Sequence, residues 1–152
     1  ADEPAPARTP PEGHAQARQF DTANYLQLRL APDMLPFTRQ IQIASDAAKG
    51  CVARLAGVDV PKWDDNEASL DDLRARVRKT MDYVQSIPAD KIDGSESREI
   101  VLQMRAGELR FSGENYLRHY ALPNFYFHVT TAYALLRHVG VEVGKQDFLG
   151  GV

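Results

Sequence analysis

The chain has 152 residues, of which 43% are hydrophobic and 26% charged, and this composition predicts one soluble globular domain with room for a core. The formal net charge of −3 gives no electrostatic case for binding nucleic acid or an anionic membrane. No apolar run is long enough to span a bilayer, and the single cysteine, Cys51, excludes an intramolecular disulfide. Because Cys51 lies on an apolar helical stripe, we interpret it as an inert core thiol.

The N-terminal segment is rich in proline. Residues 1–13 hold four prolines and almost no large apolar side chain, which predicts a disordered or extended tail and no helix. The segment fits either the mature end left by a removed secretion signal or an added end. Residues 14–152 are expected to form a single helical domain, with weak helical character over residues 14–30.

Two strong helices are predicted in the first half of the chain. The first runs over residues 33–56, with Asp33 as its N-cap and a glycine just past its end. The second runs over residues 69–87 and begins with a capping box formed by Ser69 and Asp72. Each carries apolar residues at spacings of three and four, the pattern of a helix that buries one face.

The connection between these helices, residues 58–68, allows two arrangements. An extended segment of this length reaches about 36 Å, just enough to run the length of a helical bundle. It is either a crossover between parallel helices or a folded-back loop between antiparallel ones. The carboxylates from Asp64 to Asp72 are interpreted as a solvated face near the positive end of the second helix.

Residues 98–111 change from helical to alternating periodicity. Apolar residues alternate with polar ones on either side of a turn predicted at Ala106-Gly107. This pattern predicts a β-hairpin that packs on the helices, because an isolated hairpin is marginally stable in water. A short helix over residues 114–121, capped by Ser112, is expected to lead into the last long helix.

The last long helix, residues 122–140, carries a stripe of polar residues where a buried face is expected. Pro123 suits its first turn, and Gly140 suits the position just past its end. Such a stripe is either a satisfied hydrogen-bond network inside a bundle or a ligand site. Its members repeat at spacings of four and three: Asn124, His128, Thr131, Leu135 and His138.

The ligand-site interpretation places Asn124, His128 and Thr131 in a small-molecule pocket whose aromatic wall includes Tyr133. A transition metal would need three or four ligands converging at about 2.0–2.2 Å. His128 is the candidate metal ligand, but His138 lies about 15 Å further along the same helix and cannot share its ion. A divalent transition metal is therefore a candidate cofactor whose other ligands the sequence does not identify.

Four stretches of the sequence together carry a family resemblance. They are RLAPDMLPFTRQIQIASDAAKG (29–50), the helix pair over 56–87, YLRHYALPNFYFHVTTAYALLRHVGV (116–141) and GKQDFLG (144–150). They resemble an uncharacterised bacterial family of the DinB/YfiT-like superfamily. The resemblance implies a mostly α fold, an up-down-down-up four-helix bundle with a small β-hairpin before the last helix. It also favours the parallel crossover and a cytoplasmic location, with the periplasm left open.

The resemblance also implies a metal site. Members of the wider superfamily are metalloenzymes with three histidines, one on the second bundle helix and a close pair on the last, and some are thiol-dependent transferases. In this chain His128 matches the last-helix position without a close histidine partner, and residues 33–56 contain no histidine. Gln40, Gln42 and Asp46 are the candidate substitutes.

A long helix before about residue 14 is implied by the resemblance, where this chain has its proline-rich segment. A four-helix bundle without one helix exposes an apolar groove. The groove would be covered by a segment outside this sequence, by residues 14–30, or by a second subunit, and we expect a homodimer for that reason.

Three functions are open at this point. The first is a module that binds a small ligand or a partner in a pocket around His128. The second is a divalent-metal transferase or hydrolase of a small, thiol-linked substrate, with His128 as the recognisable ligand. The third is a purely structural homodimer.

Overall fold

The computed structural model describes residues 9–150. This part of the chain is mostly helical with one antiparallel hairpin, which confirms the predicted fold class. The elements in chain order are α1 (Pro11–Ala17), α2 (Ala23–Leu26), α3 (Phe37–Ala56), α4 (Leu70–Ser86), α5 (Ala89–Ile92), β1 (Glu99–Met104), β2 (Gly107–Ser112), α6 (Gly113–Tyr116), a π-turn (Leu117–Ala121), α7 (Leu122–His138) and α8 (Lys145–Phe148).

The N-terminal prediction needs a correction where the expected tail ends. Residues 1–8 lie outside the described part of the chain, but Pro11 begins a helix inside the segment predicted to have none. Proline is favourable at the first helical position, because the N–H that it lacks has no partner there in any α-helix. α1 and α2 then bury Ala15 and Tyr25 against Val141, so these two helices pack beside the end of α7.

α3 begins at Phe37 with Pro36 as its N-cap, so the expected N-cap Asp33 lies outside the helix. A residue that precedes proline is disfavoured in helical conformation. Leu35 precedes Pro36, so α3 begins after this pair. At the other end Gly57 has a φ of 70°, the left-handed conformation that closes an α-helix.

The start of α4 follows the prediction. Ser69 accepts a hydrogen bond from the backbone N–H of Asp72 at 3.1 Å. In return the Asp72 carboxylate accepts from the backbone N–H of Ala68 at 3.0 Å. These hydrogen bonds to Ala68 and Ser69 hold the pKa of the Asp72 carboxyl below its usual range. The positive end of the helix dipole also favours a charged carboxylate at this position.

α4 runs parallel to α3, so the residues between them form the crossover. Near the starts of both helices Leu73 packs with Phe37. Further along both helices Arg76 pairs with Asp46. Because the residue numbers increase together along the contact, the two helices point in the same direction.

The β-hairpin turns one residue earlier than predicted. Met104 pairs with Gly107 at the end of the ladder, so the turn consists of Arg105 and Ala106. Gly107 has a φ of 125°, a conformation that side-chain-bearing residues rarely adopt. The inner side of the hairpin is buried in a cluster formed by Leu55, Ile100, Leu102, Tyr116 and Ala121.

α6, the π-turn and α7 form one continuous helical segment, in which the predicted short helix leads directly into the predicted long helix with Pro123 in its first turn. Ala121 and Leu122 both have helical dihedral angles. A proline inside a helix lacks the N–H for its i→i−4 bond, and its ring clashes with the carbonyl of residue i−4, here His119. The wider π-turn lies directly before Pro123 and accommodates this misfit.

α3 is the central one of the three long helices. α3 packs against both α4 and α7, whereas α4 and α7 are not in extensive contact with each other. Three corners of a four-helix arrangement are therefore filled by long helices, and residues 9–150 place only the short helices α1 and α2 at one end of the fourth corner, between α4 and α7. Within these residues, no helix is both long and apolar enough to cross a membrane.

A cluster of charges, the Arg76 cluster, holds the crossover onto α3 and α4. Only 2% of the Arg76 side chain is exposed, and its guanidinium contacts Asp46, Asp65 and Glu67 at 3.1, 3.0 and 2.9 Å. The guanidinium also donates to the backbone oxygen of Asp64 at 3.0 Å. The crossover carboxylates were predicted to form a solvated face, and two of them are instead partners of a buried cation.

The charge of Glu67 is maintained by its partners. Burial raises the pKa of its carboxyl, but hydrogen bonds from Arg76 and Gln42 outweigh that effect and hold the pKa below its usual range. Glu67 is therefore ionised at neutral pH. Its carboxylate bonds to Gln42 of α3 and to Arg76 of α4, so this crossover residue connects the two helices.

We expect Arg76→Met to lower the free energy of unfolding by about 3 kcal/mol, because Glu67 would be left buried without its cation. Urea unfolding followed by circular dichroism measures this loss. Arg74→Met is the matched control on the same helix, since the Arg74 side chain is 41% exposed in its pairs with Glu12 and Asp71. The control should cost about 1 kcal/mol or less. Equal losses in the two variants would contradict a special role for the Arg76 cluster.

Candidate functional site

His128 lies on the face of α7 that packs against α3. The residue is 8% exposed, and its Nδ1 lies 2.7 Å from Oε1 of Gln40. The Gln40 amide nitrogen donates to the backbone oxygen of Leu35 at 2.8 Å, which fixes the orientation of the amide. Because Oε1 can only accept, Nδ1 carries the proton, and Nε2 keeps the lone pair.

The surroundings of His128 favour its neutral form. Burial lowers the pKa of the imidazole. The ring of Phe127 lies edge-on to it, with ring centroids 5.1 Å apart. Among the described residues, Nε2 has no hydrogen-bond partner. The arrangement provides one buried, neutral imidazole that is held through Nδ1 and has one acceptor atom.

The other residues of the predicted pocket contact different neighbours. The Thr131 hydroxyl donates to the backbone oxygen of Phe127 in its own helix at 2.7 Å. Tyr133 packs against Phe148 of α8, with ring centroids 6.0 Å apart. Asn124 lines a cavity beneath the hairpin. The four residues of the predicted pocket therefore do not line one shared cavity in the structure.

A three-histidine metal site does not fit the residues present. In the part of the chain that the structure describes, no group of three His, Cys, Asp or Glu side chains could hold an ion. The candidate substitute Gln40 occupies Nδ1 of His128, while Gln42 and Asp46 bond to members of the Arg76 cluster. His128 remains a candidate ligand without companions.

A second candidate site lies beneath the β-hairpin, and we call it the hairpin cavity. It has a volume of about 380 Å³ and lies between β1, α3, the π-turn and α7. Arg54 donates from Nη1 to the Tyr116 hydroxyl oxygen at 3.0 Å, and its guanidinium lies 5.9 Å from the centre of that ring. Burial raises the pKa of Tyr116 despite the nearby Arg54 charge, so the phenol stays protonated. The amide of Asn124 also faces this cavity.

The third feature is an apolar groove, which we call the α4–α7 groove. It has a volume of about 520 Å³ and follows the unfilled fourth corner of the bundle, with α3 as its floor. Val77 and Met81 on α4 are 40% and 54% exposed at its edge. Its apolar lining consists of Ile41, Ala44, Ala48, Val77, Met81, Val84, Phe125, Val129 and Ala132.

Sequence reasoning found Asn124 but missed the residues around it. Arg54 lies beside Leu55 of the apolar stripe and resembles an ordinary basic residue in a last helical turn. Its neighbour Tyr116 is 62 positions away in the chain, so spacing could not connect them. A glycine in the middle of α3, Gly50, was the one available signal, because helix interiors disfavour glycine. Burial raises the pKa of Cys51, in agreement with the interpretation of an inert thiol.

Comparison with solved structures defines the class of the protein. The crystal structure of a DinB family member from Shewanella denitrificans superimposes with a TM-score of 0.86 and is 39% identical in sequence. The match covers 93% of this chain and 80% of that one. The fold of parallel α3 and α4, the hairpin and antiparallel α7 is thus a DinB-like helical fold.

Within that class the chain belongs to DUF1993, a family described as a domain of unknown function, whose model matches residues 9–149. The match spans nearly all of the described residues and confirms the family resemblance read from the sequence. No curated protein matches this chain.

We expect His128→Ala to lower the free energy of unfolding at pH 7.5 by about 1–3 kcal/mol, because Gln40 Oε1 would lose its donor inside the bundle. Thermal and urea unfolding measure the loss. His119→Ala is the control, since His119 is exposed on the π-turn. A His128→Ala variant as stable as the wild type would contradict the buried hydrogen bond.

The difference in stability between wild type and His128→Ala should shrink as the pH is lowered from about 7.5 to about 5.5. The folded-state pKa of His128 is lowered by burial, so the unfolded state, with a pKa of about 6.5, binds more protons in this range. Wild-type stability conferred by the neutral ring is therefore lost on acidification, and the variant has none to lose. A difference that grows with falling pH would show that the ring is charged when folded.

Proposed function

We propose that this protein is a binding module that works as a homodimer, with the α4–α7 groove as its contact surface. The observation that carries the proposal is the open apolar groove at the fourth corner of the bundle. Monomeric proteins seldom leave a contiguous apolar patch of this kind in water, and such patches mark interaction sites.

The dimensions of the groove suit a helix. It is formed by three helices, and α4 and α7, which border it, each contain 17 residues. A helix laid between them would contact both and complete a four-helix packing around α3. The N-terminal helices α1 and α2 cover only one end of this corner, where they contact Leu70 of α4 and Leu136 of α7. No residue of α1 or α2 is in the lining of the groove, so the groove stays open to another helix.

A second copy of the chain provides such a helix. The exposed edge of α4, with Val77 and Met81, is itself apolar and can enter the groove of a partner. A two-fold axis would then place each α4 edge against the groove of the other subunit, so that one contact is made twice. Tyr126, 52% exposed and edge-on to Phe125 at 5.5 Å, extends the apolar surface along α7.

The alternative of a divalent-metal transferase or hydrolase has less support. It rests on the position of His128 alone, since the residues that would complete the site do not converge on it. The alternative of a small ligand bound between Asn124, His128, Thr131 and Tyr133 also has less support, because those side chains contact different neighbours.

We expect the 152-residue chain to elute as a dimer of twice 17.0 kDa in size-exclusion chromatography with light scattering. Met81→Lys should weaken the dimer at least about tenfold, because the interface would bury an unpaired charge. Met104→Lys is the matched control, since Met104 is 45% exposed on the hairpin, away from the groove.

Concentration dependence of the melting temperature provides an independent measurement, because dimerisation stabilises the folded state by mass action. Wild type and Met104→Lys should melt at higher temperature as the protein concentration rises, and Met81→Lys should not. A wild-type monomer at micromolar concentration, or a dimer unaffected by Met81→Lys, would contradict the proposal.

A further inference from the structure

Arg54 forms no ion pair with a carboxylate among the described residues. Arg29 and Arg98 also lack a carboxylate partner, but each of them donates to a backbone oxygen. Within residues 9–150 the guanidinium of Arg54 is instead held by the hydroxyl and ring of Tyr116. Arg54 is partly buried and lines the hairpin cavity, whose lining also includes Asp46.

Gly50 creates the place that this guanidinium occupies. A Cβ atom at position 50 would lie 2.3 Å from Nη1 of Arg54 and 3.3 Å from its Cζ. The guanidinium therefore lies against α3 one turn before its own Cα, over a residue that has no side chain. A glycine in a helix interior is unfavourable relative to alanine, so its presence here has a cost that the placement of Arg54 explains.

A cation near the last turn of α3 also interacts favourably with the helix dipole. That ordinary role needs only an arginine pointing to solvent. It requires neither the missing side chain at Gly50 nor the hydrogen bond to a buried tyrosine. The geometry holds Arg54 in one orientation inside the cavity, as a recognition group is held.

The rest of the hairpin cavity suits a small organic molecule. Its volume of about 380 Å³ lies in the range of ligand pockets. Tyr116 and Tyr120 stack with ring centroids 6.0 Å apart and form an aromatic wall. The Asn124 amide provides a second polar group that has no partner among the described residues. Asp46 also lines the cavity, and its carboxylate is engaged by Lys49 and Arg76.

We propose that the hairpin cavity binds a small organic carboxylate, with Arg54 as its charge partner and Asn124 as a second hydrogen-bonding group. A guanidinium presents a planar pair of N–H donors that matches a carboxylate, which favours this class over a single-point cation contact. Tyr116 positions Arg54, and Gly50 leaves the room for it. This site is separate from the α4–α7 groove and does not depend on dimerisation.

Isothermal titration calorimetry with sodium benzoate, at constant ionic strength, tests the proposal on the 152-residue chain. We expect benzoate to bind with a Kd of about 1 mM or tighter, and the neutral isostere benzamide to bind at least about tenfold more weakly. Inorganic phosphate at the same ionic strength should not compete. Absence of benzoate binding, or equal binding of benzamide, would overturn the carboxylate site.

Two variants connect binding to the named residues. Arg54→Met removes the charge, and Gly50→Ala displaces the guanidinium while keeping the arginine. Gly50→Ala should fold with unchanged or raised melting temperature, because only the end of the Arg54 side chain obstructs the new methyl group. Both should lose benzoate affinity by about tenfold or more. Arg118→Met, on the exposed side of the π-turn, is the control and should bind as the wild type does. A Gly50→Ala variant that binds benzoate normally would refute the placement of Arg54.

Discussion

The arrangement of this protein depends on a single buried guanidinium. Arg76 on α4 joins Asp46 of α3 to Asp65 and Glu67 of the crossover, and these contacts fix α4 parallel to α3. Lys49 and Lys79 lie 4.4 and 4.5 Å from the ring centre of Trp63 and hold the outer part of the same connection. Ion pairs and hydrogen bonds with a buried guanidinium favour one arrangement of this connection, because breaking any of them leaves a buried charge unpaired. α7 packs mainly on α3, and the groove between α4 and α7 stays open.

His128 shows how a buried imidazole can be held by another side chain. The fold places this imidazole against α3. In this chain the facing residue is Gln40, whose oxygen accepts a hydrogen bond from Nδ1 and whose nitrogen donates to the backbone oxygen of Leu35. This pair satisfies the Gln40 amide and Nδ1 inside the bundle without an ion. Internal hydrogen bonds thus account for His128 and Thr131 of the polar stripe, whereas Asn124 lines the hairpin cavity and His138 is exposed.

Sequence patterns predicted the parts of this structure that depend on local physics. The apolar stripe of α3, the Ser69 cap of α4 and the alternating hairpin all follow from periodicity and capping within a few residues. An error occurred at Pro11, which begins a helix inside the segment predicted to have none, because the effect of a proline depends on the neighbouring geometry. The candidate sites depend on contacts between distant residues. Gln40 and His128 are 88 positions apart, and no spacing rule connects such a pair.

The π-turn at Leu117–Ala121 also affects how the chain can vary in length. A π-turn holds one residue more than an α-turn needs to span the same rise, so it stores a single-residue insertion within an otherwise regular helix. Removing one residue there would restore ordinary α-helical phase, but it would rotate Tyr116 and Arg118 about the axis relative to His128. The π-turn therefore offsets the side chains before it, such as Tyr116, from those after it, such as His128, in rotation about the helix axis. Because Tyr116 and Ala121 pack on Leu55 of α3, such a rotation would also change the contact of this segment with α3.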